Sequence, residues 1–363
     1  MRNRKTFVLV AAAISTACSD ATGPGGGLPG RRLLDAREFS QWAWVPGGGE
    51  IVFSTPFDAP YTGPPTRLEA ITVAGGSRRT IVAAPSNGDR IIGYRFAVVG
   101  SHVYYEVSHP SSDDISFYRT PLGGGAPEKI VDVAPFGVSV ASDERMVAWV
   151  ERDPGAPVWS LITTDIATGN RRTYALQHQA NRVTWSPSGR SVVVDISNAV
   201  GAALQWVDLA SGTVRVWLEP RAGPDVWQSH DIGWDGESPL VYVAGVDVAR
   251  YSMATGERVL LSPLPVPGRA VGWSRDFETA FIESNECRAW SGGIFGADCT
   301  RWANRVDRIT WRSGVTTPLL RFEARAPVFA RASPTGTYLG YEYYACGGGC
   351  YSAGDGLYIE RVP

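Results

Sequence analysis

The sequence predicts an all-β ring of seven four-stranded antiparallel blades, a β-propeller, with six or eight blades as the alternatives. Three observations carry that expectation. A strand, a polar turn and an apolar strand recur seven times between residues 44 and 341, and a second hairpin follows most copies. The last copy lacks a fourth strand, which the start of the chain can supply. Four strands in a repeat of about 45 residues make one propeller blade, and such a sheet cannot bury both faces alone, so neighbours stack and the ring closes.

The 363 residues are 44% hydrophobic and include 41 Gly and 25 Pro, a turn-rich balance that fits an all-β fold. No basic block or stripe stands out, which argues against nucleic acid as a partner.

Residues 1–17 read as an export signal. Arg2, Arg4 and Lys5 form the charged start, and the apolar run 6–14 is too short to span a bilayer. Removing this segment leaves 31 basic against 36 acidic residues, a net charge of −5. Ser15-Thr16-Ala17-Cys18 resembles a bacterial lipobox, which implies that Cys18 becomes the lipid-modified first residue. The match departs from the family pattern at Ser15, where Leu is usual. Cleavage after Ala17 or Ala21 to give a soluble protein is the other reading. Residues 18–30, rich in Gly and Pro, have the composition of a flexible tether. The propeller then occupies 31–363.

The first hairpin of each blade is WVPGGGEIVF at 44–53, FAVVGSHVYY at 96–105, VASDERMVAW at 140–149 and WSPSGRSVVV at 185–194. WDGESPLVYV at 234–243, WSRDFETAFI at 273–282 and ASPTGTYLGY at 332–341 complete the set. The second hairpins lie at 69–82, 117–131, 161–176, 204–218, 248–261 and 307–320, several turning on Ala-Thr-Gly, Ala-Ser-Gly or Arg-Ser-Gly. Gly there meets the need for a positive φ. The seventh copy ends with GLYIERVP at 356–363, a third strand, and RLLDA at 32–36 is the candidate fourth, shared from the N-terminal side. Trp44, Trp185, Trp234 and Trp273 fall at matching positions and are assigned to packing between blades.

WSPSGRSVVV and ASPTGTYLGY resemble the Trp-Ser-Pro-Asp-Gly repeat of TolB-like propellers, the WD40-like or PD40 repeat. Ser188 and Thr335 replace the family's Asp, and the other copies keep the hydrophobic shape but lose letters. The resemblance spans about residues 32–363 and implies fold rather than function. Its members include periplasmic scaffold proteins, propellers that precede serine peptidase domains, and exported lipoproteins. The chain has no Gly-x-Ser-x-Gly elbow and ends within the last blade, so peptidase activity is not expected.

Four cysteines remain beyond Cys18. Exported chains retain disulfides, so Cys287–Cys299 and Cys346–Cys350 is the simplest of three pairings. Cross-links between the two loops, or free thiols, are alternatives, and neither spacing suits zinc. The first pair brackets an insertion with Arg288, Trp290 and Phe295, and the second lies beside Tyr343 and Tyr344. Stapled loops presenting aromatics lose little entropy on binding, so these five residues form the candidate binding rim. The competing reading folds Trp290 and Phe295 under, as a cap on the ring.

Some seven-bladed lyases acting on acidic sugars hold a divalent metal with histidines and a Gln, and that resemblance points to His109, His178 and His230, with Gln177 and Gln179 beside His178. His102 follows a turn and is expected to be solvated, as are Asp114, Asp165, Asp208 and Asp307. The sequence reading is therefore an exported, lipid-anchored monomer without cofactor that binds an envelope protein or a glycan. It touches the membrane only through its N-terminal lipid. A metal-dependent polysaccharide lyase or other hydrolase at the channel is the alternative.

Overall fold

The computed structural model describes residues 28–56, 66–109, 114–132, 138–152, 158–180, 182–198, 201–218, 230–243, 248–252, 255–262, 268–274, 276–293, 296–324, 328–344 and 354–363. Cys18, Phe295, Cys346 and Cys350 lie outside them, as does the side chain of His230.

Seven four-stranded antiparallel sheets form the ring. Blade one comprises β2 (Gln41–Trp44), β3 (Glu50–Ser54), β4 (Leu68–Thr72) and β5 (Arg78–Val82). Blade two is β6 (Arg90–Val99), β7 (His102–His109), β8 (Asp114–Pro121) and β9 (Glu128–Asp132). Blade three is β10 (Ser139–Val140), β11 (Met146–Arg152), β12 (Trp159–Asp165) and β13 (Arg171–Leu176). Blade four is β14 (Arg182–Trp185), β15 (Ser191–Asn198), β16 (Gly201–Asp208) and β17 (Val214–Leu218). Blade five is β18 (His230–Asp235), β19 (Ser238–Val243), β20 (Val248–Tyr251) and β21 (Arg258–Ser262). Blade six is β22 (Arg269–Trp273), β23 (Thr279–Gly293), β24 (Gly296–Thr310) and β25 (Val315–Ala324). Blade seven is β26 (Phe329–Ala332), β27 (Tyr338–Tyr343) and β28 (Gly356–Arg361), completed by β1 (Arg31–Asp35), which pairs with β28. The N-terminal strand thus closes the ring, as the missing fourth strand required.

The second strand of a blade is buried on both faces, which is why it reads as an unbroken apolar run. Val192, Val193 and Val194 are all fully buried. The turn before it keeps one geometry while its letters change. In blade four Ser186 N donates to Ser191 O at 2.9 Å and Gly189 N to Ser186 O at 3.0 Å, with Gly189 at φ +70°. Blade seven repeats this with Ser333, Tyr338 and Gly336. Blades three and six place Glu144 (φ +59°) and Phe277 (φ +56°) at the left-handed position instead. A side chain there costs about 1–2 kcal/mol, so both residues need compensating contacts.

Phe277 packs near Trp273, and Glu144 has a charged partner. Glu144 Oε1 lies 2.7 Å from His102 Nδ1 of blade two and accepts from Tyr104 OH at 3.2 Å, while its Oε2 accepts from Ser101 N at 3.2 Å. His102 is therefore half-buried in a latch between blades rather than solvated, because the turn of blade three reaches back to it. Burial pushes the Glu144 carboxyl up, but the hydrogen bonds from His102, Ser101 and Tyr104 outweigh it and hold the group below its ordinary 4.5. Its contribution to stability is complete above about pH 4.5 and is lost as pH falls through the depressed folded value. Thermal melts between about pH 6 and pH 3 are expected to show a smaller acid loss for Glu144→Gln than for wild type. Equal slopes would remove the latch.

Neighbouring blades are joined by the tryptophans assigned to packing. Trp185 is buried against Ala148, Val150 and Leu161 of blade three, and Trp234 against Val193, Leu204 and Trp206 of blade four. Trp273 sits so close to Gly233 that a Cβ there would meet its ring at 2.7 Å. At the closure, Trp44 stacks on Tyr338 at 6.4 Å and its Nε1 donates to Arg331 O at 3.0 Å. Trp42 is fully buried against Gly340.

Candidate functional site

Blade six departs from its neighbours. Its second strand continues past Glu283, the partner of the first residue of β22, as far as Gly293, and β24 returns alongside it. The insertion is thus a long hairpin rather than a loop, and it rises from the rim where the inner strands begin. A disulfide between Cys287 and Cys299 crosses its two strands, with Cα atoms 5.8 Å apart. At its base, Asn285 Nδ2 donates to Val328 O at 3.3 Å and Asn304 Oδ1 accepts from Val328 N at 3.1 Å. Two asparagines opposite one another on the hairpin therefore grip the residue that precedes β26.

Trp290 is 65% exposed on this hairpin, so it does not fold under as a cap. Arg288 is exposed beside it and pairs with Glu286 at 2.9 Å. Tyr343, placed on the binding rim by the sequence reading, is instead buried. It ends β27 with its ring turned into the core, 6.2 Å from both Phe322 and Tyr358. Tyr344 is half-buried, and its hydroxyl donates to Glu342 Oε2 at 3.1 Å. Asp307 is also buried rather than solvated, because Arg305 and Arg321 converge on its carboxylate within blade six. Asp165 and Asp208 do stand in turns, where each accepts from the backbone N–H groups that follow it.

Beside the hairpin base the channel opens into a cavity of about 520 Å³. Ile232 of blade five, the inner strand of blade six from Ala270 to Trp273, Phe329, Arg331 and Glu342 of blade seven, and Gln41 of blade one line it. Gly272 lets the inner strands of blades six and seven approach, since a Cβ there would lie 2.9 Å from that of Ala332.

Glu342 belongs to a recurring position. The residue after the three buried positions that follow the first residue of the second strand is acidic in four blades: Glu106, Asp195, Glu283 and Glu342. Each carboxylate is used. Asp195 takes Arg182 Nε at 2.9 Å and Nη2 at 2.7 Å, and Glu106 takes Arg95 Nη1 at 3.0 Å. Glu283 accepts from Ala330 N of the next blade at 2.6 Å, and Glu342 accepts from Trp42 Nε1 of blade one at 2.8 Å. Burial pushes the Glu342 carboxyl up, against the pull of the Trp42 hydrogen bond and of Arg331.

The histidines proposed for a metal are placed as follows. His109 ends β7 with Nδ1 2.9 Å from Asp89 Oδ1 and Nε2 2.9 Å from Ser116 Oγ. Both ring nitrogens are engaged within blade two, so a metal there would have to displace one partner. His178 lies at the junction of blades three and four, where Gln205 Oε1 accepts from its backbone N–H at 3.1 Å. Among the described residues no three His, Cys, Asp or Glu side chains converge to hold a metal. The order Asp89, His109, Ser116 has the connectivity of a nucleophilic relay. Ser116 is nevertheless fully buried and donates to Asp132 Oδ1 at 2.6 Å, which directs its hydroxyl away from attack.

No protein-family model matches the chain, and no curated protein matches it in sequence. Solved structures do resemble it. An oligogalacturonate lyase in complex with manganese shares 13% identity over 92% of each chain, with a TM-score of 0.63. A puromycin-hydrolyzing peptidase of Mycobacterium tuberculosis shares 18% identity over 85% of this chain and 50% of its own, with a TM-score of 0.53. TolB from Acinetobacter baumannii shares 14% identity over 77% of this chain and 67% of its own, with a TM-score of 0.45. Identities this low establish the propeller fold and nothing about activity.

Proposed function

We propose that this propeller is an exported, lipid-anchored, non-catalytic binding module of the bacterial cell envelope, taking a protein or a glycan on the rim of blades six and seven. The signal-like residues 1–17, Cys18 and the Gly-rich segment 18–30 support export and anchoring. The Cys287–Cys299 disulfide suits an oxidising compartment. One observation carries the binding reading: a cross-linked hairpin, tied at its base to Val328, holds an exposed Trp290 on the rim where the channel cavity opens. A rigid, preordered aromatic is what an interface hot spot requires.

The test is co-sedimentation of the purified mature chain with isolated peptidoglycan, membrane vesicles and immobilised envelope proteins. Wild type is expected to bind at least one of these, and Trp290→Ala to weaken that binding by about tenfold or more, an energy typical of an aromatic hot spot. Because Trp290 is 65% exposed, the substitution is expected to leave the melting temperature unchanged. Binding that ignores Trp290, or none at all, overturns the reading. The enzymatic alternative, a metal-dependent polysaccharide lyase or other hydrolase, draws support from Glu342, a carboxyl pushed up beside the channel cavity.

A further inference from the structure

We propose that the cavity between blades five, six, seven and one takes a short uncharged oligosaccharide, an inference that rests on the binding-module reading and narrows its ligand. Three planar polar groups of complementary type meet there. Glu342 offers acceptors, Arg331 donors, and Gln41 both. A sugar hydroxyl donates and accepts at once, so neighbouring hydroxyls can span an acceptor and a donor set side by side. Arg331 attracts the Glu342 carboxyl while Glu283 repels it, so acidic groups meet the guanidinium and the lining does not favour an anion.

These groups are fixed before a ligand arrives. Trp42 Nε1 and Tyr344 OH hold the two oxygens of Glu342 at 2.8 and 3.1 Å. Arg331 donates to Trp42 O and lies over that indole, with Cζ 5.0 Å from the ring centroid. The Gln41 amide, turned with its oxygen toward Arg331, accepts from it at 2.8 Å. Side chains already ordered lose little entropy on binding.

Phe329 supplies what the polar groups do not. It opens β26 beside the cavity and is 49% exposed. An exposed aromatic face next to planar hydrogen-bonding groups suits a pyranose, whose ring has an apolar C–H face and a polar edge. Ile232, Ala270 and Val271 extend the apolar wall. The volume of about 520 Å³ falls within the range of about 300–1,000 Å³ common to small-ligand sites.

The experiment is isothermal titration of the purified mature chain with maltotriose, cellotriose and tri-N-acetylchitotriose, and with trigalacturonate as the charged counterpart. At least one neutral sugar is expected to bind with Kd below about 1 mM, and trigalacturonate about tenfold more weakly. Phe329→Ala and Glu342→Gln are each expected to weaken the neutral sugar about tenfold. The Gln carbonyl still accepts from the Trp42 indole, and near-ultraviolet circular dichroism checks that both variants fold. No neutral binding up to about 10 mM, binding that neither variant moves, or tighter binding of trigalacturonate overturns the proposal. If the sugars fail while Trp290→Ala still weakens envelope binding, the module stands and the sugar site falls. Cleavage of a bound neutral sugar, seen as new reducing ends or unsaturated products, keeps the ligand class and removes the non-catalytic reading.

Discussion

Trp42→Ala is expected to lower the stability of the propeller by about 3–5 kcal/mol, the range for deleting a buried aromatic side chain. The site has little means to recover. Trp42 is fully buried where blades seven and one meet, edge-on to Trp44 with centroids 5.9 Å apart. Gly340 faces it without a side chain that could fill the hole, since even a Cβ would lie 2.6 Å from the ring. The indole N–H that donates to Glu342 Oε1 disappears as well, and losing that hydrogen bond adds to the cost. Trp42→Phe keeps most of the ring and loses only the donor, so it is expected to cost about half as much. Urea unfolding followed by circular dichroism measures both. A loss under about 1 kcal/mol for Trp42→Ala would mean that the ring does not close through this contact.

Removing β1 is expected to do more. A chain that starts at Ala36 loses Leu33 and Leu34, 9% and 1% exposed, each costing about 2–5 kcal/mol by the scale for buried leucines. It also loses the pairing of Arg31–Asp35 with β28 and the reciprocal cap between Asp35 and Glu38. The bared edge of β28 then offers unpaired backbone groups to other chains. Such a chain is expected to melt earlier and to elute as larger species in gel filtration. A control starting at Leu28 keeps β1 and the hydrogen bond from Tyr341 OH to Pro29 O, and should behave as the longer chain. Equal melting of the two would show that β1 is dispensable.

The fold was legible because backbone geometry outlasts the letters. Every turn between first and second strands fell where the repeat placed it, including the one at Glu144, whose sequence keeps only a polar turn. RLLDA reads as the closing strand because the seventh repeat lacks a fourth, and it pairs with β28 one residue from the expected start. The site was less legible. Tyr343 carries the same letter as Tyr344, and only the pleat decides which ring turns into the core. Asp307 reads as an ordinary strand-end acid until Arg321, a strand away, is seen against it. One signal in the sequence does point to it. The residue directly after four of the repeat segments is acidic, at Glu106, Asp195, Glu283 and Glu342, and it marks the rim that the cavity occupies. Phe329 and Gln41 belong to different blades, and no spacing along the chain announces that the ring brings them together.

The grip of Asn285 and Asn304 on Val328 has a mechanical side. A pull on the hairpin enters blade seven at β26, while a pull on the chain ahead of Arg31 enters the same blade at β1. The load path between the two runs through β27 and β28 and stays within blades six and seven. Blades one to five would then remain slack under tension, and rupture would begin by parting β1 from β28.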